Sequence, residues 1–308
     1  MDHIPVLLEK SIDGLNIKPD GIYVDGTLGR AGHSLEIVKR LVDGFLIAID
    51  CDEEAITEAK LLLNDYKERI KLVRGNFRSI ASILKEECIE AVDGMIFDLG
   101  VSSPQIDKKE RGFSYNRDTD LDMRMDKTES LTAYEIINFW DEEKLRKIFF
   151  EYGEERYSKA IARKIVNKRT NSPIHTTFEL NEVIFSAIPA AARREAGHPS
   201  KRCFQALRIA VNDELESIKI MLETAPSLLK EKGRLCIISF HSLEDRLVKR
   251  AFMAGAKGCD CSKDIPVCIC NKTPTLKIIT RKPVTADKDE AERNPRARSA
   301  KLRIAERL

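Results

Sequence analysis

No run of apolar residues in this 308-residue chain approaches the roughly 20 needed to cross a bilayer. The opening, Met1-Asp-His-Ile-Pro-Val-Leu-Leu, lacks both the positively charged start and the long apolar stretch of a secretory signal. These two absences predict a cytoplasmic protein with no membrane partner. Net charge is also scarce: 52 Lys and Arg stand against 50 Asp and Glu, leaving +2, so the overall balance points to no class of partner. Internal repeats and low-complexity tracts are missing, which argues against solenoids and long disordered arms. What remains is a chain that is 43% hydrophobic, enough for a large core. Its length suits one domain with an insertion, or two domains.

Short apolar runs alternate with amphipathic stretches through the first hundred residues. Ile22-Tyr-Val-Asp, Phe45 to Asp50, Ile70 to Val73 and Val92 to Asp98 read as strands; His33 to Leu41, Ala55 to Tyr66 and Ile80 to Lys85 have helical period. Regular alternation of this kind predicts βαβ units, hence an α/β fold with a parallel sheet and helices on both faces. The rhythm breaks near residue 106. A polar stretch is followed by helical patterns at Ala133 to Trp140, Glu142 to Tyr152, Ser158 to Arg169 and Phe178 to Ala190. A discontinuous core of residues 1–105 and 208–308 around a helical insertion of 106–207 is therefore expected. A long helical pattern from Phe204 to Lys230 leads back to a fifth strand, Leu235 to His241, and Leu276 to Thr280 is the candidate last strand. The segment Arg293 to Arg303 is basic with no acid inside it; it suits either phosphate contact or an ordinary solvated terminus.

Ligands of open parallel sheets bind outside the C-terminal ends of the strands. Three consecutive strand ends carry the residues such a site needs. They are the turn Asp25-Gly-Thr-Leu-Gly29-Arg-Ala-Gly32-His33, the carboxylate Asp50, and Asp98 leading into Leu99-Gly-Val-Ser-Ser-Pro-Gln105. Glycines admit a tight turn and close approach of a ligand, and an acid about 20 residues further on can accept from both ribose hydroxyls. A nucleoside-type ligand follows. The glycine spacing is not the G-x-G-x-x-G that sets a helix N-terminus against a pyrophosphate. S-adenosylmethionine, which has no phosphate, fits the turn better than a dinucleotide; a nicotinamide-dependent oxidoreductase on the same sheet is the alternative.

Long motifs carry more than spacing. His3-Ile-Pro-Val-Leu-Leu, Asp25 to Ser34, Asp98 to Gln105, Glu110-Arg-Gly-Phe-Ser, Leu121-Asp-Met-Arg-Met-Asp, Ile238-Ser-Phe-His-Ser-Leu-Glu-Asp-Arg and Asn294-Pro-Arg-Ala-Arg-Ser together resemble the bacterial small-subunit (16S) rRNA cytosine-N4 methyltransferases, the RsmH or MraW family. The resemblance runs almost end to end. It implies a class I, Rossmann-like methyltransferase core with a helical insert, and methylation of a cytidine in the decoding centre of the small ribosomal subunit. By position it implies cofactor contacts from Ala31, Gly32, His33, Asp50, Phe77, Asp98 and Gln105. The family commonly has Gly-Gly-His at the turn where this chain has Ala31-Gly32-His33. Alanine avoids positive φ, so the change is cheap if Ala31 keeps φ negative.

Methyl transfer from a sulfonium is an in-line displacement that mainly requires positioning. Cytosine N4 is a weak nucleophile, and an acceptor for its amino proton would help. Asp98 is the candidate, with binding of cofactor alone as the equal alternative. Ser103-Pro104-Gln105 only partly matches the amino-methylase motif, lacking a second proline and an aromatic. The 98–105 segment has no cysteine, which disfavours C5 chemistry. Arg111, Phe113, Tyr115, Arg117 and Arg124 offer stacking faces and charge for RNA, against the alternative of a self-packed loop. His241 to Arg246 reads either as a helix start, with Ser242 as N-cap, or as a substrate contact. Cys51, Cys88, Cys203 and Cys236 read as reduced core thiols. Cys259, Cys261, Cys268 and Cys270 form a CxC…CxC cluster: either a structural zinc site or a loop with reducible thiols. A homodimer is compatible with all of this.

Overall fold

A computed structural model describes residues 5–102, 105–106, 109–194, 198–259, 261, 270 and 272–308. The chain divides into two compact units, one of residues 1–100 and 215–308, the other of 101–214.

The first unit is built on a seven-stranded sheet of order β3-β2-β1-β4-β5-β7-β6. Its strands are β1 (Ile22–Asp25), β2 (Phe45–Asp50), β3 (Ile70–Arg74), β4 (Val92–Asp98), β5 (Leu229–Ser239), β6 (Leu276–Ile278) and β7 (Lys301–Arg307). β1 to β5 run parallel, and β7 lies antiparallel between β5 and β6. The inner strands β1, β2 and β4 are largely apolar on both sides up to their terminal acids because both faces are covered. Along β2, Leu46 and Ala48 join one core with Tyr23, Ile37 and Ile304. Ile47 and Ile49 join the opposite core with Met95, Phe97 and Ile237. The first core is covered by α1 (Leu8–Leu15), α2 (Gly32–Arg40) and α3 (Glu53–Leu62). The second lies under α4 (Ile80–Glu86) and further helices after the second unit.

The second unit packs α5 (Ala133–Phe139), α6 (Glu142–Glu151), α7 (Ser158–Arg169), α8 (Thr177–Ala187) and α9 (Lys201–Asn212). Four of these helices send one apolar face inward: Ala133, Ile136 and Ile137 from α5; Leu145, Ile148 and Phe149 from α6; Ile161, Ala162 and Ile165 from α7; Leu180, Val183 and Ile184 from α8. The starts are capped as their sequences dictate. Thr132, Asp141 and Thr176 accept backbone N–H groups, and Thr176 forms a reciprocal capping box with Glu179.

Three expectations need correction. The pattern from Phe204 to Lys230 is not one helix. It breaks at Asp213 (φ 49°), so α9 ends at Asn212 and α10 (Glu214–Thr224) follows; β5 then begins at Leu229. The last strand is β7, not Leu276 to Thr280, and it takes up the end of the basic segment. Arg303 within it is buried. Of the four scattered thiols, Cys203 and Cys236 are buried as expected, but Cys51 is half-buried and Cys88 is exposed. Among the described residues no helix is long and apolar enough to cross a membrane.

Candidate active site

The C-terminal ends of β1, β2 and β4 are tied together by their own side chains. Asp25, fully buried, accepts from the Thr27 N–H (3.0 Å) and from the Ser34 hydroxyl (2.7 Å), which fixes the turn to the first helical turn of α2. Thr27 Oγ1 accepts the Asp98 N–H at 2.6 Å, so the turn grips the end of β4. Asp50 Oδ2 accepts the Gly29 N–H at 2.8 Å, and Oδ1 accepts the Asp52 N–H at 2.9 Å. Two of the turn's glycines are required by contact. A Cβ on Gly26 would lie 2.2 Å from the Phe97 ring, and one on Gly32 would lie 2.2 Å from Pro5.

Ala31 departs from expectation. Its φ is +58°, and it caps α2 in the left-handed region with its methyl fully buried. An L-residue there costs about 1–2 kcal/mol. Burial of the methyl returns about 0.8 kcal/mol, and glycine would itself cost about 0.5–1 kcal/mol in chain entropy. The magnitudes nearly cancel, so alanine is tolerated despite the positive φ.

His33 is buried in the first turn of α2. Its Nε2 lies 3.2 Å from the Val6 carbonyl, and its Nδ1 lies 4.0 Å from Asp98 Oδ2. Burial pushes its imidazole down to about 4, against the opposing effect of the Val6 contact, so the ring is neutral near pH 7. Nε2 then carries the proton and donates to Val6, which leaves Nδ1 bare toward Asp98.

The carboxyls are held above the ordinary range. Burial raises Asp50 to about 6, and its two backbone N–H donors only partly offset this. Burial raises Asp98 well above the usual value, and Asp25 and Glu244 add repulsion. Asp98 Oδ1 is buried with no hydrogen-bond partner among the described residues. Such an atom is an acceptor in need of a donor. Phe77 follows β3 and meets Phe97 edge-on at 5.8 Å.

Glu244 lies in the His241 to Arg246 segment, and nothing in its spacing marks it out; Thr27 and Asp25 stand in the glycine turn. Glu244 is fully buried on α11 (Ser242–Gly255), accepting the N–H groups of Phe240 (2.7 Å) and His241 (3.2 Å). The N-cap is His241, not Ser242. No pattern in the sequence separates this acid from the exposed first-turn acids of other helices; only the fold buries it.

Within the second unit, Gln105 is buried and its Oε1 accepts the Ser102 N–H at 3.0 Å. Arg111 is buried and donates to the carbonyls of Arg124 (3.1 Å) and Met125 (2.9 Å). Arg124 forms a fork on Asp122, 2.8 Å from each carboxylate oxygen, and donates to the Lys127 and Glu129 carbonyls. Both guanidinium groups hold the insert's own loop. Tyr115 stacks on His198 at 4.4 Å and meets Phe204 edge-on; Phe113 packs on the same core, and Arg117 is half-buried. Cys259, Cys261 and Cys270 lie together in the first unit, whereas Cys268 is outside the described residues.

A parallel sheet of this order with a reversed β7, bearing a carboxylate at each of three adjoining strand ends, defines a Rossmann-like methyltransferase. The comparisons narrow the class. A model of the MraW methylase family matches residues 1–308, and the chain belongs to that family. The ribosomal RNA small subunit methyltransferase H of Brevibacillus brevis is 53% identical over 307 residues, covering 99% of this chain and 98% of that protein. That of Halothermothrix orenii is 53% identical over 309 residues, covering 100% and 99%. The chain is thus a methyltransferase whose cofactor is S-adenosylmethionine, and the nicotinamide alternative falls away.

Proposed function

We propose that this protein methylates N4 of a cytidine in the decoding centre of 16S rRNA. The observation that carries the proposal is that one turn ties together the strand ends bearing Asp50 and Asp98: the Gly29 N–H donates to the Asp50 carboxyl at 2.8 Å, and the Asp98 backbone N–H donates to Thr27 Oγ1 at 2.6 Å. The names of the relatives at 53% identity support the small ribosomal subunit as substrate.

The residues fit the cofactor. Each Asp50 oxygen takes one backbone N–H and keeps a lone pair for a ribose hydroxyl. Phe77 offers an apolar edge for the adenine. A carboxyl raised by burial and then by neighbouring acids, as Asp98 is by Asp25 and Glu244, favours a positively charged ligand. Bound there, S-adenosylmethionine supplies an electrophilic methyl carbon on a cationic sulfur. Ionised Asp98 can then accept a proton from the target amino group as N4 bonds to the methyl and the carbon–sulfur bond breaks. The neutral His33, bare at Nδ1, stands 4.0 Å behind it to receive that proton's hydrogen bond. The base must leave its stack to reach this depth.

The helical insert is proposed as the RNA-recognition unit. Its exposed Phe139, Phe150 and Phe178 offer faces for unstacked bases. Among the charged candidates of the first loop, Arg111 and Arg124 are assigned to the loop itself.

Incubation with unmodified small subunits and labelled S-adenosylmethionine, followed by mass mapping of nucleosides, tests the proposal. N4-methylcytidine at a single position is expected. Label on cytosine C5, on a ribose, or on no RNA at all would overturn it.

A further inference from the structure

Three thiols of the cysteine cluster converge. The Sγ atoms of Cys259, Cys261 and Cys270 all lie within 4.8 Å of one another. Cys259 and Cys270 are 3.8 Å apart. A disulfide would require a separation of about 2.05 Å. Two thiolates each about 2.3 Å from a tetrahedral zinc stand about 3.8 Å apart. The observed spacing is thus that of two ligands on one ion. The Cys261 N–H donates to Cys259 Sγ at 3.4 Å.

We propose that Cys259, Cys261 and Cys270 bind a single zinc ion that fastens the connection between α11 and β6. The cluster sits in a segment whose ends are already fixed. The Thr275 N–H donates to the Gly255 carbonyl at 2.8 Å, and Gly255 abuts Leu276 closely. Zinc with thiolate ligands supplies folding energy where a core does not. Each thiol releases its proton as it binds, and no electron is transferred. Soft sulfur ligands select zinc over magnesium or calcium, which prefer oxygen. The site is structural, and it contributes no group to the carboxylate-lined site at the strand ends.

The test is metal analysis of the full chain, purified without chelator and without a metal-binding tag. About one zinc per chain is expected, lost in the variant Cys259→Ser/Cys270→Ser while S-adenosylhomocysteine still binds. If that variant does not fold, the wild-type protein exchanged into cobalt decides. Intense visible bands with sulfur-to-cobalt charge transfer support the site. A wild-type protein free of metal with all thiols titratable, zinc retained by the double variant, or a cobalt spectrum without sulfur bands would each overturn it.

Discussion

Asp50 is an acid that the fold makes reluctant to ionise and that the proposed ribose contact needs ionised. Burial lifts it to about 6, so in the ligand-free protein a proton occupies it below that pH. The sign for stability follows. A raised folded value adds stability that is complete below the unfolded value of 3.8 and is lost as pH rises through about 6. For binding the sign is reversed. Two ribose hydroxyls donate best to the carboxylate, so below pH 6 the ligand must expel a proton and its affinity falls. S-adenosylhomocysteine is the right probe, because its neutral sulfur avoids the additional response of Asp98 to a cation. Calorimetry on either side of pH 6 should show affinity rising with pH. Asp50→Asn should bind roughly 10- to 100-fold more weakly, as loss of hydrogen bonds to a charged group predicts, and lose that pH dependence. A flat wild-type profile would mean that Asp50 does not face the ribose.

At the scale of elements, the clearest dependence is that of β7 on α11. Asp245 accepts from Arg303 Nε at 2.6 Å and Nη2 at 3.2 Å, and Lys301 Nζ stands 3.3 Å away. Burial opposes the charge on Asp245, but Arg303 and then Lys301 hold its carboxyl below the usual range. With side-chain exposures of 8% and 13%, the Arg303–Asp245 pair is largely shielded from water. Asp245→Ala would strand a buried guanidinium at a cost of about 3–5 kcal/mol and lower the thermal midpoint by several degrees. A midpoint within about 1 °C of wild type would show that Arg303 finds another partner. This pairing also explains why β7 was illegible in the sequence. Lys301 and Arg303 alternate with Leu302 and Ile304, and on a strand exposed to water such charges mean a solvated edge. Here the charged side is answered by an acid distant in sequence. The break at Asp213 was hidden for a similar reason, since apolar spacing continues on both sides of a single left-handed residue. β1 to β4 were legible because each is a bounded apolar run. The carboxylates Asp50 and Asp98 were legible because they end those runs. Glu244 and the positive φ of Ala31 depend on contacts that no local pattern carries.

For the whole molecule, the division into two units has a physical meaning that can be tested. The strand-end carboxyls Asp25, Asp50 and Asp98, with Glu244 beside them, all belong to the first unit, whereas residues 101–214 have a core of their own from five helices. That core includes large, fully buried side chains such as Phe149 and is closed by internal bonds. Asn212 links α9 to the loop through Met123 and Met125, and Arg208 grips Glu214 at 2.7 and 2.8 Å. A segment well above the ~40 residues below which chains need staples can fold by burial alone. The fragment 101–214, expressed by itself, should therefore give a helical circular dichroism spectrum and a single cooperative thermal transition. It should bind no S-adenosylhomocysteine, because every carboxyl of the strand-end site is absent from it. A coil spectrum would mean that the insert draws its order from the sheet, and recognition of substrate could not then be assigned to it as a separate module. A folded fragment that protects small-subunit RNA from nuclease, with no cofactor bound, would place recognition and methyl transfer in different units of the chain.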